Sequence, residues 1–489
     1  MLFNSYAFIC LFLPVSLVVY FFLSHRRQTL AARVWLVCAS LFFYAWWNPL
    51  YLPLILGSIM FNYAIGTIIG RLPQGNCRAE KRRKYLLILG ITGNLALLGY
   101  FKYTDFLLTN LNLAFGSQFS LLHIVLPLGI SFFTFTQIAY LVDVHRQVAQ
   151  EYDLLNYVLF VTFFPHLIAG PIIHHKEMMP QFVALRNKLF HWGNFSRGLF
   201  LFSIGLAKKV IIADTFATWV NNGFETTQVL TFAAAWATSL SFSLQLYFDF
   251  SGYTDMALGA ALMFNIKLPA NFNSPYQALD IRDFWRRWHI TLSRFLRDYL
   301  YIPLGGNRHG ETSTWVNLMA TFLLGGIWHG AGWTFVFWGF LHGAAMIVQR
   351  LWQTLRISLP RPLAWFLTFN FVNFAFVFFR ARDWGQAMKV LKGMFLLNGV
   401  TLPGWLMPYY QGLAPAGIDF GNPWKSINGS DLVLAAILFC IFIVLALKNS
   451  NEMVENFTPN WQNAFLTACC FFFAYINLYK PEIFLYFNF

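Results

Sequence analysis

The sequence predicts an all-α polytopic membrane protein, and three observations carry that prediction. Of 489 residues, 58% are hydrophobic and only 11% are charged, against about 25% charged in soluble proteins; the mean hydropathy is +0.53. The apolar runs are long and continuous, which suits spanning helices and not the short alternating segments of a transmembrane barrel. Basic loops alternate with neutral ones, as the cytoplasmic and outer connections of a helical bundle do. At about 20 residues per span, the chain holds about 11 to 13 membrane-embedded helices. They form one integral membrane domain, residues 1–489, with no internal repeat and no soluble domain.

The first run, Ser5 to Leu23, is long enough to span a bilayer. No basic region precedes it, no small-residue cleavage site follows, and it meets His25-Arg26-Arg27. It is therefore a retained span with its N-terminus outside. Val34 to Trp47 then leads outward, the turn Asn48 to Pro53 carries no Lys or Arg, and Leu54 to Gly70 returns to Arg71, Arg78, Lys81, Arg82, Arg83 and Lys84. The net charge of +14 is spread over such loops. It reads as a set of topology determinants facing anionic lipid, not as a nucleic-acid surface.

Three stretches do not fit simple spans. Residues 120–142 break at Pro127 and Gly129, residues 228–264 exceed one span and carry Asp249 and Asp255, and residues 270–312 are polar and aromatic. Irregular backbone at membrane depth needs protein or a water-filled cavity around it, so the middle third is expected to be a re-entrant core. Thr401 to Asp431 has one basic residue, Lys425, and belongs outside. It is either a docking surface for a partner or a plain solvated loop.

Placed on one helix at about 100° per residue, residues 282–299 are amphipathic. Phe284, Trp285, Trp288, His289, Leu292, Phe295, Leu296 and Tyr299 share an arc. Arg282, Asp283, Arg286, Arg287, Arg294, Arg297 and Asp298 lie opposite, with Asp283 and Arg287 spaced to pair. His289 thus points into the bundle, either as a hydrogen-bonded core residue or as a functional one. A carboxylate at a helix centre costs about 2.5–3.5 kcal/mol. Asp249 and Asp255 are accordingly expected to pair with Arg286 or Arg287, or to line a polar cavity. A structural role in fixing a break is at least as well supported as catalysis. Lys208-Lys209 reads as a span end or a snorkelling pair.

In GGIWHGAGWTF, residues 325–335, His329 stands among four glycines beside Trp328. That composition keeps space for another helix or a ligand. An ionisable residue inside a membrane is a functional hypothesis by default. His342, 13 residues on in a regular apolar helix, reads as structural. Cys10, Cys38, Cys440, Cys469 and Cys470 fall in apolar runs and Cys77 in a loop. None has zinc spacing, so they read as small buried hydrophobes. No Ser-His-Asp signature, phosphate loop or metal motif is present.

The motifs LPLGISFFTFTQIAYLVDV (126–144), FFPHLIAGPI (163–172), LYFDFSGYTDMALG (246–259), LPANFNSPY (268–276), DFWRRWHITLSRFLRDYLYIPLGGNRHG (283–310) and GGIWHGAGWTFVFWGFLHG (325–343) resemble those of membrane-bound O-acyltransferases. The match is to the AlgI-like branch, named for alginate O-acetylation, and is dense over residues 120–345. The resemblance extends to the N-terminal helices and the aromatic ending IFLYFNF. It implies a ring of helices around a thin re-entrant core, with cytoplasmic and periplasmic funnels meeting at His329. It implies His329 and His289 as catalytic residues. Trp328, Asp249, Asp255 and Arg286 are the accompanying candidates for lining the core or a funnel. No bound cofactor and no metal are implied. The implied donor is acetyl-CoA or another acetyl thioester, the acceptor an exported polysaccharide, and the partner a periplasmic esterase-like acetyltransferase. The implied location is the bacterial inner membrane. Peptidoglycan, cellulose, D-alanyl transfer to teichoic acid and a transporter without chemistry stand as alternatives.

Overall fold

The computed structural model describes residues 1–73, 75–410, 418–479 and 484–485. The early helices fall where the apolar runs place them. A π-helical turn, Ala7–Phe12, leads into α1 (Leu13–His25), followed by α2 (Thr29–Ala45), α3 (Leu52–Arg71) and α4 (Cys77–Phe115). The 39 residues of α4 make a rod of roughly 58 Å, and the Asn76 side chain caps it by accepting the Arg78 N–H at 2.9 Å. Asn62 of α3 and Asn94 of α4 exchange side-chain hydrogen bonds of 3.1 and 2.6 Å. Such buried amide pairs join helices where apolar contact gives little preference over lipid.

The break expected at Pro127 and Gly129 is present. Gly129 (φ 70°) turns a non-helical segment into α5 (Ile130–His145). A side chain there would meet the Leu167 carbonyl at 3.0 Å. Three short helices follow, α6 (Leu154–Thr162), α7 (Phe164–Leu167) and α8 (His175–Val183). Then α9 (Trp192–Ala207) passes through a π turn, Lys208–Ala213, into α10 (Asp214–Asn221).

Residues 228–264 correct the sequence reading, because they do not break. They hold one continuous helix, α11 (Phe232–Met263), of roughly 48 Å, buried along nearly its whole length. The cause is glycine packing against α9. A Cβ on Gly198 would lie 2.6 Å from the Gly259 carbonyl, and one on Gly205 2.6 Å from the Gly252 carbonyl. The two backbones therefore touch, and this closeness brings charges of both helices together. Lys208 Nζ lies 2.7 Å from Asp255 Oδ2, and Lys209 Nζ lies 2.8 Å from Asp249 Oδ1 and 2.6 Å from Asp214 Oδ1. The partners of Asp249 and Asp255 are thus lysines, not Arg286 or Arg287. Lys208 and Lys209 neither end a span nor snorkel.

The single helix expected over 282–299 is two helices, α12 (Ile281–Arg287) and α13 (Ile290–Leu296), followed by a π turn, Arg297–Tyr301. The expected burial pattern survives the break. Phe284, Trp285, Trp288, His289, Leu292, Phe295 and Leu296 are buried, Arg282 and Arg286 are exposed, and Arg287 pairs with Asp283 at 2.9 Å.

α14 (Glu311–His329) and α15 (Trp333–Leu355) form a hairpin, followed by α16 (Arg361–Arg380) and α17 (Trp384–Met394). In the expected outer loop, β1 (Val400–Pro403) pairs in parallel with β2 (Ile418–Gly421), with α18 (Met407–Tyr410) between them. That region is therefore more than a plain loop, although 411–417 lie outside the described residues. The chain closes with α19 (Leu432–Ala446), α20 (Ser450–Glu455) and α21 (Trp461–Ile476). Of the aromatic ending, Phe484 and Leu485 alone are described; Phe484 stacks on Tyr253 at 4.4 Å and the Leu485 N–H donates to Asp249 Oδ2 at 2.9 Å.

Among the described residues, four helical stretches are long and apolar enough to cross a membrane, Ala7–His25, Pro49–Arg71, Cys77–Phe115 and Arg361–Arg380. The cysteines correct a further expectation. Cys440 is buried, but Cys10, Cys38 and Cys77 are exposed. An apolar run in a membrane helix has a lipid-facing side, so it does not imply burial.

Candidate active site

His289 owes its position to the α12–α13 break. Trp288 is extended, and His289 takes left-handed backbone angles (φ 41°, ψ 55°). Such a conformation costs a non-glycine residue about 1–3 kcal/mol and persists only where its surroundings enforce it. Here the loop before α12 does so. The Asn273 N–H donates to the Arg287 carbonyl at 2.9 Å, and the Ile290 N–H to the Asn271 carbonyl at 3.0 Å. The side-chain oxygen of Asn271 accepts from the Thr291 N–H (3.2 Å) and hydroxyl (2.6 Å), and lies 3.4 Å from His289 Nδ1. With an acceptor facing Nδ1, the neutral ring carries its proton there and its lone pair on Nε2.

His329 is the last residue of α14, and Gly330 after it is extended. Its ring is packed edge-on by Trp328 (5.0 Å), Trp338 (5.0 Å) and Phe379 (5.1 Å). Two of the four surrounding glycines, Gly326 and Gly330, make room for a helix. A Cβ on Gly326 would strike the Phe335 carbonyl and lie 3.2 Å from Gly339 Cα, and Gly330 is covered by the Phe335 ring. They let α15 close on α14.

Trp328 stands between the two histidines, its ring 5.0 Å from His329 and 6.4 Å from His289. It stacks on Phe135 at 5.0 Å, which stacks on Phe295 at 4.2 Å. Phe250 meets His289 edge-on at 4.8 Å. Behind this group, the Trp285 indole N–H donates to His342 Nδ1 at 3.2 Å. That contact fits the structural reading of His342. An indole N–H only donates, so the proton of a neutral His342 lies on Nε2.

A cavity of about 720 Å³ opens beside this centre, with Arg282, Arg286, Arg294, Arg297 and Arg350 on its walls. Arg294 is held by Glu177 through bonds of 2.9 and 3.0 Å, and Arg350 by Glu311 at 2.6 Å. Arg282 and Arg286 make no salt bridge among the described residues, so their charge remains available to an anion. Trp285 and Leu296 form the inner wall. Trp285 touches His342 from the other side, and Leu296 lies 3.3 Å from where a Cβ on Gly325 would stand. Trp285 also lies 5.9 Å from Trp338, whose ring packs on His329 at 5.0 Å, so aromatic side chains link the cavity wall to the His329 group.

Of the sequence candidates, His329, His289 and Trp328 come together, and Arg286 lines the adjacent cavity. Asp249 and Asp255 do not line it and lie instead in the α9–α11 seam. Sequence reasoning missed Asn271, which no motif spacing singles out, and Lys102 and Tyr103 of α4. Lys102 Nζ donates to the carbonyls of Trp328 (2.6 Å) and His329 (3.0 Å), and the Tyr103 hydroxyl to that of Ile327 (2.7 Å). A lone lysine inside an apolar run was the available signal.

Residues 144–381 match the membrane-bound O-acyltransferase family profile. The chain is 47% identical to a peptidoglycan O-acetyltransferase of Helicobacter pylori, over 100% of this chain and 98% of that protein. It is 43% identical to a probable alginate O-acetylase, AlgI, of Pseudomonas aeruginosa, over 81% of this chain and 75% of that one. A teichoic acid D-alanyltransferase of Bacillus subtilis is 28% identical over 52% of this chain and 69% of its own length. The chain belongs to the membrane-bound O-acyltransferase family and is a polytopic membrane enzyme of the acyltransferase class.

Proposed function

We propose that the protein carries an acetyl group from a cytoplasmic thioester, acetyl-CoA or a related donor, across the bacterial inner membrane for O-acetylation of a cell-envelope polysaccharide. The observation that carries this reading is the pair of buried histidines packed near Trp328, linked through Trp338 and Trp285 to an arginine-lined cavity. The cavity suits a phosphorylated carrier. Arg282 and Arg286 hold its anionic part while the uncharged acetyl thioester reaches inward. The N-terminus lies on the periplasmic side, as the basic loops direct.

His329 takes the proton from the acceptor hydroxyl as that oxygen attacks the thioester carbonyl. The new C–O bond and the oxyanion form together. The oxyanion then collapses, the C–S bond breaks, and the leaving sulfur takes the proton held by the imidazolium. His289, with its lone pair on Nε2, orients the donor from the cytoplasmic side.

Peptidoglycan is the acceptor supported best, because the relative that acts on it matches this chain from end to end, whereas the alginate relatives leave about a fifth unmatched. The partner is a periplasmic esterase-like acetyltransferase that completes transfer to the glycan. Radiolabelled acetyl-CoA, supplied to membranes holding the protein and that partner, should give base-labile acetyl groups on muropeptides. Label on alginate but not on peptidoglycan would replace the acceptor. Flux of an intact substrate that survives His329→Ala would replace chemistry with transport.

A further inference from the structure

We infer that Lys102 is a positioning residue for acyl transfer, closing the last turn of α14 so that the ring of His329 is held in one place. This rests on the reading of His329 given above. An α-helix leaves its final four carbonyls without intrahelical donors. In α14 these belong to Gly326, Ile327, Trp328 and His329, and each has a partner. The Gly330 N–H reaches the Gly326 carbonyl at 3.4 Å. The Tyr103 hydroxyl takes the Ile327 carbonyl at 2.7 Å, and Lys102 Nζ takes those of Trp328 at 2.6 Å and His329 at 3.0 Å. Two consecutive residues of α4 thus cap the turn that carries both Trp328 and His329.

Lys102 makes no salt bridge among the described residues. Its Nζ faces the carbonyl end of α14 and lies 5.9 Å from the centre of the Trp328 ring. Proximity catalysis is sensitive to placement at the ångström level. Freeing two carbonyls in the turn that bears the proposed base should therefore be felt in turnover.

The test compares Lys102→Met, Lys102→Arg and His329→Ala in proteoliposomes, with acetyl-CoA as donor and turnover expressed per folded molecule. Lys102→Met should lower kcat by about 10- to 100-fold with the KM for acetyl-CoA within about twofold of wild type. Lys102→Arg, which still offers donors to both carbonyls, should recover most of it. A cap with a purely structural role would lower the thermal midpoint and leave kcat per folded molecule unchanged, and that result overturns the inference. Should Lys102→Met not accumulate, Lys102→Gln and Tyr103→Phe each lose part of the cap, and wild-type kcat in both overturns it equally. If His329→Ala itself turns over normally, the active-centre reading has failed. If His329→Ala is inactive while the Lys102 variants match wild type, the positioning role alone has failed.

Discussion

Two regions bury polar groups deep in this bundle, and they do so in opposite ways. In the α9–α11 seam the charges are paired: Lys208 with Asp255, and Lys209 with Asp249 and Asp214, at 2.6 to 2.8 Å. Glycines on both helices bring the backbones into contact there. Around His329 and His289 the side chains are imidazoles walled by aromatic rings, and Trp338 and Trp285 link them to an arginine-lined cavity. A charged group in a membrane is therefore not in itself a mark of chemistry. Mutual satisfaction within a tightly packed seam is a structural solution. A histidine held among aromatic rings beside an arginine-lined cavity is the arrangement that the proposed acyl transfer requires.

The comparison is broken most directly at the histidines. Replacing a general base costs about 10²- to 10⁴-fold in rate, so His329→Ala should abolish measurable acetyl transfer while the protein still inserts and folds. His289→Ala should weaken transfer most at limiting donor. Full activity of His289→Ala under that condition would make His289 a core residue like His342. The seam should respond in the reverse sense. Removing one partner of a buried ion pair costs about 3–5 kcal/mol. Lys209→Met should thus reduce the yield and thermal midpoint of folded protein, with kcat per folded molecule unchanged. Normal stability with lost turnover in that variant would move Asp249 back among the reacting groups.

Much of the fold was legible because lipid imposes a simple pattern of long apolar runs between charged ends. The early spans, the break at Gly129 and the burial of the arc from Phe284 to Leu296 within 282–299 all follow from it. What failed shares one physical cause, the dependence of local backbone on distant partners. Asp249 and Asp255 suggested a broken helix, yet glycine packing against α9 brings Lys208 and Lys209, in the π turn after it, onto these carboxylates and α11 stays whole. Residues 282–299 read as one helix, yet Asn271 from the preceding loop holds His289 left-handed. At the site, His329 and His289 stood out as ionisable residues in apolar surroundings. Asn271 carries no such mark, since its role exists only once the chain has folded back on itself.

The smallest effect is expected where an ion pair resembles the seam in chemistry but not in setting. Glu225, in the π turn Asn222–Thr226 that follows α10, accepts from Arg380 at 2.8 Å and Arg382 at 2.9 Å. The Arg380 hydrogen bond is the leading cause that holds its carboxyl below the ordinary glutamate value. A carboxyl depressed in the folded state stabilises the protein above its unfolded pKa, about 4.3, and loses that contribution as pH falls through the lower folded value. Being partly exposed, the pair is worth about 0–1 kcal/mol. Wild type should therefore unfold at a slightly higher temperature than Glu225→Gln near neutral pH, and the gap should close in acid. A gap that persists below the folded value, or one as large as that for Lys209→Met, would mean that Glu225 acts as a buried charge. Solvent access would then not be what separates the outer pairs from those of the α9–α11 seam.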